Sequence, residues 1–208
     1  MCYAVKRLFF IFFVMCASAI ETHPLPPFAP QNAKLLMLGS FPPPRVRWKM
    51  DFYYPNFQND MWRIFGLVFF GDKDFFIDGK GFHEDAIRAF LAEKGIAIYD
   101  TAYRVQRLQG NASDKFLQVV EAVDLASLLA RMPQCRTVMT TGELATDTLL
   151  SLLPPGVKKP KPGVASAADF AGRELRLFRL PSSSRAYPLP LVEKARIYGD
   201  FFAEIGLR

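Results

Sequence analysis

Lys34-Leu-Leu-Met-Leu-Gly39-Ser-Phe-Pro-Pro-Pro44, continued through 45–50 to Asp51-Phe-Tyr-Tyr-Pro-Asn-Phe-Gln-Asn-Asp-Met-Trp62, is the stretch from which the fold can be read. Residues 35–38 are an unbroken apolar run that stops at glycine, which suits a strand buried on both faces at the centre of a parallel sheet. The loop after it gathers Gly39, three prolines, Phe52, Tyr53, Tyr54 and Asn59 into about twenty residues, and connections that long inside a compact domain are functional or disordered. Prolines restrict the backbone and aromatics give it something to bury, so an ordered loop is expected. In an open α/β sheet the ligand crevice lies beyond the carboxyl ends of the strands, so this loop should form the floor and wall of a binding site.

Working outward, 58–70 carries Met61, Trp62, Phe65 and Phe69 at helical spacing, predicting a helix from near Asn59. A second helix is expected over 81–93 with Ala86, Phe90 and Leu91 inward. Residues 95–100 form a second buried strand ending at Asp100, followed by a polar loop with Arg104, Arg107 and 111–114 (Asn-Ala-Ser-Asp). Residues 124–132 read as a helix capped by Asp124. Then come a strand over 137–141, a helix from Gly142 through Leu152 with Ala145, Leu149 and Leu152 buried, and a strand over 175–180. The last helix is expected over 189–205 with Val192, Ala195, Tyr198 and Phe202 inward. Four strands alternating with helices predict an α/β fold, a three-layer α/β/α sandwich around a central, mostly parallel four-stranded sheet.

The chain of 208 residues divides into a leader over 1–19, a proline-rich lead-in over 20–33 and a single domain over 34–208. Lys6 and Arg7 precede the apolar run 8–17, and Ala17-Ser-Ala19 has the small-x-small form of a signal-peptidase site. The run is short for a membrane span. Either the start codon lies further downstream, near Met15, or the protein is exported; the first is preferred, which places it in the cytoplasm without stable membrane contact. Cys2 and Cys16 sit in the leader, so only Cys135 remains in the body, in keeping with a reducing compartment. In the lead-in, Leu25 and Phe28 are expected to pack on the body. Charge is +6, from 26 Lys and Arg against 20 Asp and Glu, or +4 without the leader. That balance permits contact with phosphate backbones without demonstrating it. Lys158, Lys159 and Lys161 lie in a loop that reads as a solvated basic surface.

Gly39-Ser-Phe-Pro42 with 53–62 (Tyr-Tyr-Pro-Asn-Phe-Gln-Asn-Asp-Met-Trp) resembles the first motif of the uracil-DNA glycosylase superfamily, in the branch of hypoxanthine-DNA glycosylases and mismatch-specific uracil glycosylases. Leu180-Pro-Ser-Ser-Ser184 resembles its second motif, a Pro-Ser turn pressed into the DNA minor groove. The resemblance implies a monofunctional DNA glycosylase working as a monomer without metal or organic cofactor, with DNA holding a damaged base as partner. Carried onto this chain, it implies a base pocket from Gly39, Ser40, Phe41, Tyr54 and Thr141, with Tyr54 under the base and Tyr53 or Phe41 as alternates. Pro181, Ser182, Ser183, Ser184 and Arg185 would hold the strand. Asn59 would be catalytic.

That chemistry suits the residue types. A base must leave the stack to expose its glycosidic bond, at a cost of a few kcal/mol, and an aromatic face recovers about 1–3 kcal/mol by stacking. Bond cleavage builds positive character on the sugar and negative charge on the base, so water must be oriented and charge stabilised. An amide offers a carbonyl for water and an NH₂ for a base carbonyl. Serine hydroxyls and backbone N–H groups bind phosphate without reading sequence. The chain departs from the mismatch-specific pattern at Phe41, where those relatives have a catalytic Asn, and at Leu180, where the second motif begins with Asn or His. It departs from the hypoxanthine branch at Thr141, where Asn is usual.

Other chemistries find little footing. His23 and His83 lack metal-ligand spacing, there is no G-x-S-x-G elbow, and neither dinucleotide nor P-loop patterns occur. Asp51, Asp60 and Asp100 are candidate water-orienting carboxylates, although surface or capping roles are commoner for each. Two alternatives stand beside the enzyme: a non-catalytic nucleic-acid-binding module of the same fold, and an exported nucleoside- or nucleotide-binding protein.

Overall fold

The computed structural model describes residues 19–109 and 113–208. Nearly all of the leader, with Cys2 and Cys16, and Asn111 of the polar loop lie outside the described residues. Along the chain run β1 (Ile20–Thr22), β2 (Leu35–Gly39), α1 (Met61–Phe70), the short pair β3 (Ile77–Asp78) and β4 (Gly81–Phe82), α2 (Glu84–Lys94), β5 (Ile96–Asp100), β6 (Ala102–Arg107) and β7 (Leu117–Ala122). Then follow α3 (Leu125–Ala130), β8 (Thr137–Thr141), α4 (Glu143–Ser151), β9 (Ser166–Phe170), β10 (Arg173–Leu180) and α5 (Leu191–Glu204).

The central sheet has the order β5-β2-β8-β10-β9. β5, β2, β8 and β10 are parallel neighbours, and β9 joins the edge antiparallel to β10. The four expected strands are present; the expected count of four is corrected to five. β9 escapes sequence reading because Ser-Ala-Ala-Asp-Phe has little β-propensity and is held by its pairing. β2, β5 and β8 are buried at every position, as strands covered on both faces must be.

Helices α1, α2 and α5 meet through Phe65, Phe69, Phe90 and Phe202, whose rings lie 4.9–6.2 Å apart. α1 begins at Met61, two residues after the expected start. Three inward assignments shift by one turn position or fail: Ile87 is buried where Ala86 was expected, Leu153 is buried and Leu152 half-buried, and Val192 is exposed. Asp124 caps α3 as read, its carboxylate accepting from Ser127 N at 3.0 Å.

The largest correction concerns the expected polar loop after Asp100. It contains a hairpin, β6 and β7, which joins β1 in a second, three-stranded antiparallel sheet. Ala102, Val105 and Leu117 form its small core with Phe41; the Arg and Gln residues between them hide the alternation. The lead-in is tied to both sheets, through β1 and through a bridge between Phe28 and Ile98. Leu25 and Phe28 pack against the main core.

Candidate functional site

Because four strands run parallel, their carboxyl ends share one edge. Gly39 lies opposite Asp100, and Leu180 opposite Thr141. The loops leaving these ends surround a cleft of about 660 Å³, a size within the range of small-molecule sites. Ten of the eleven site residues named from sequence line it: Gly39, Ser40, Phe41, Tyr54, Asn59, Thr141, Ser182, Ser183, Ser184 and Arg185. Pro181 stands behind the wall, where its carbonyl accepts from Tyr198 Oη at 2.8 Å.

The first loop is ordered by its own hydrogen bonds. Trp48 Nε1 donates to Pro43 O at 2.7 Å, Lys49 N to Pro55 O at 2.9 Å, and Trp62 Nε1 to Tyr53 O at 3.1 Å. Tyr53 is buried and donates to Pro26 O, so it is a wall residue. Tyr54 lines the cleft beside it. Its φ of +51° is left-handed, a conformation that costs a non-glycine residue on the order of 1–3 kcal/mol and gathers at functional sites. Its hydroxyl lies 3.5 Å from Thr141 Oγ1, its ring meets the edge of Trp62, and burial pushes its pKa upward.

Asn59 is half-buried, and its Oδ1 accepts from Met61 N at 2.9 Å, helping to start α1. The carbonyl is thus engaged. Asn59 also bridges to Ser184, Asp60 N donates to Ser183 O, and Arg185 N to Gln58 O, so the two motif loops are sewn together through their backbones. Ser183 is buried, while Ser182 Oγ and Ser184 Oγ accept from Ser184 N and Ala186 N at 3.2 Å. A hydroxyl that accepts in its own turn still has its proton to donate.

The charged groups around these loops make pairings that the sequence does not reveal. Asp60 receives Arg185 Nε at 2.8 Å and Lys194 Nζ at 3.3 Å, and Lys194, 1% exposed, also donates to Ser184 O. Arg185 is therefore committed to Asp60 in this state. Arg107 is buried, donates to Pro42 O and pairs with Glu21. Phe41 lies under that guanidinium and edge-on to His23. Asp114 is exposed as a residue, yet its carboxyl faces the cleft, accepting from Ser40 Oγ at 2.7 Å; burial of the carboxyl raises its pKa above the usual range.

Of the three carboxylates considered from sequence, only Asp100 lines the cleft. Asp51 is exposed and paired with Arg45. Lys159 pairs with Glu143 and Asp147. Among the described residues no three His, Cys, Asp or Glu side chains are grouped to hold a metal ion.

No family model matches the sequence, and no curated protein does. Among solved structures the chain is similar to the solution NMR structure of a "putative Uracil DNA glycosylase" from Methanosarcina acetivorans, with a TM-score of 0.60 and 20% identity over 90% of this chain and 99% of that one. The two share a fold. That fold is a mixed α/β sheet with helices, and at this identity the likeness extends to nothing finer.

Proposed function

We propose that this chain is a monofunctional DNA glycosylase that hydrolyses the N-glycosidic bond of a flipped-out deaminated base, uracil or hypoxanthine, leaving an abasic site. The observation that carries the reading is the convergence of both motif loops on one cleft at the carboxyl edge of the sheet, in a fold shared with a protein titled a "putative Uracil DNA glycosylase". Tyr54 supplies the stacking face, and its strained backbone at the cleft supports a functional role. Asn59 offers its NH₂ to a base carbonyl while its Oδ1 accepts from Met61 N. Ser182 and Ser184 present hydroxyls to the phosphates beside the extruded base. The enzyme works as a cytoplasmic monomer in base-excision repair, with no cofactor.

The test is abasic-site formation by the purified full chain on oligonucleotides holding one uracil, hypoxanthine or xanthine. Cleavage by the wild type that falls at least about 100-fold in Asn59→Ala, with DNA still bound, is the expected result. DNA binding without cleavage of any of them would favour the non-catalytic module, for which the packing of Phe41 and Leu180 into apolar clusters speaks.

A further inference from the structure

Resting on the glycosylase reading, one task in the cleft is left without a group to perform it. Water must be held and deprotonated as it attacks the sugar, and an amide carbonyl such as that of Asn59, which already accepts from Met61 N, is too weak a base to take the proton. A different acceptor is at hand. Asp100 closes β5, is 6% exposed and lines the cleft. Its Oδ2 accepts from His23 Nε2 at 2.9 Å. Its Oδ1 lies against Gly39, beside the Tyr54 hydroxyl, at a spot where a Cβ on residue 39 would overlap it. No donor to Oδ1 is present among the described residues.

His23 is built to do one thing. Its side chain is fully buried, with its ring 4.5 Å from Tyr99 and 5.4 Å from Phe41. Its backbone N donates to Tyr103 O at 2.8 Å, and Nδ1 lies 2.9 Å from Leu25 O and 3.2 Å from Leu25 N. With Nδ1 accepting from the Leu25 amide, the neutral ring carries its one proton on Nε2 and gives it to Asp100. The ring therefore fixes which carboxylate oxygen is occupied and leaves the other, Oδ1, as the acceptor that this cleft-lining residue has to offer.

We infer that Asp100 is the catalytic carboxylate that orients and deprotonates the attacking water, and that His23, supplied by the N-terminal segment, is the residue that positions it. In the step, the C1′–N bond breaks with its electron pair leaving on the base nitrogen, and the water oxygen bonds to C1′. The water proton passes to Asp100 Oδ1 and on to solvent, and the departing base takes a proton from solvent. The segment before β2 is thus part of the active centre.

The experiment measures single-turnover cleavage and DNA affinity of the full chain for wild type, Asp100→Asn, His23→Phe and His23→Gln, with thermal melting of each. Asp100→Asn is expected to slow cleavage at least about 100-fold while affinity changes by less than about threefold. His23→Phe keeps a ring and loses the donor, and should slow cleavage about 10- to 100-fold; His23→Gln keeps a donor and should recover most of that loss. If Asp100→Asn does not fold, Asp100→Ala with added formate replaces it: acceleration by formate supports the inference, and its absence overturns it. Near-wild-type rates in Asp100→Asn and His23→Phe overturn the inference and leave the glycosylase reading standing. A His23→Gln as slow as His23→Phe overturns the role of His23. A wild type that cleaves none of the bases removes both readings together.

Discussion

Asp60 and Asp100 are equally buried, at 5% and 6% exposure, and both sit at the root of a loop that borders the cleft. Their surroundings differ. Asp60 has a cation on each oxygen, Arg185 on Oδ1 and Lys194 on Oδ2, and its own backbone N–H is bonded to Ser183 O. Asp100 has one donor, His23, on one oxygen. Removing a carboxylate from water is costly, and paired charges with full hydrogen bonding offset that cost. Asp60 has spent its capacity on joining the two motif loops to α5, whereas Asp100 retains an oxygen for something that enters from the cleft. A saturated buried charge is a strut; a half-satisfied one facing a cavity is a candidate for chemistry.

The comparison breaks most visibly at Asp60. Asp60→Asn leaves Lys194 buried without its partner, and breaking a buried pair from one side costs about 3–5 kcal/mol. For a chain of this size that is a fall in Tm on the order of 10 °C, to be read by calorimetry. Asp100→Asn should cost far less stability, and equal losses in the two would erase the distinction between them.

Gly39→Ala is the next largest effect. The added Cβ would overlap Asp100 Oδ1, and the carboxylate cannot swing away freely because His23 holds its other oxygen. Overpacking of this kind costs about 1–3 kcal/mol. Urea unfolding should show that loss, together with loss of cleavage, since the carboxylate must leave either His23 or the cleft. Full activity in Gly39→Ala would mean that the position of Oδ1 is unimportant.

The parallel core was legible because 35–38 and 96–99 are short unbroken apolar runs that stop at Gly39 and Asp100, and 137–141 is a short run rich in β-branched residues that stops at Gly142. The cleft was legible for the same reason: strand ends fix where loops go, and the loop holding Tyr54 and Asn59 was too long and too aromatic to be a plain connection. What could not be read was pairing at a distance. Lys194 sits in an amphipathic helix 134 positions from Asp60, and a helical lysine ordinarily keeps its charge in water. His23 begins a proline-rich stretch that offers it only the Leu25 backbone, and its bond to Asp100 spans 77 positions. β6 and β7 read as a loop because Tyr103, Arg104, Gln106 and Gln118 blur the alternation, and the hairpin is held by pairing with the distant β1 and by packing against Phe41.

A third carboxylate sharpens the contrast by the smallest effect. Asp114 has neither a cation on each oxygen nor a histidine; its hydrogen bond comes from the Ser40 hydroxyl. Burial raises its pKa most, and the Asp100 charge adds to that, against the lowering by Ser40 and Arg107. A carboxyl whose folded pKa lies above its unfolded value, near 3.9, binds its proton more tightly in the folded chain. It therefore contributes stability that is fully present below the unfolded pKa and is lost as pH rises through the folded pKa. Asp114→Asn keeps an oxygen for Ser40 and does not titrate. Its Tm relative to wild type should rise as pH climbs from just below 4 and level off above the folded pKa of Asp114. Two curves offset by a constant amount across that window would show that Asp114 does not feel the cleft. In an Asp100→Asn background the same rise should be smaller and finish at lower pH, because one of the charges holding the Asp114 pKa up is gone, and that change reads the coupling of the two carboxylates directly.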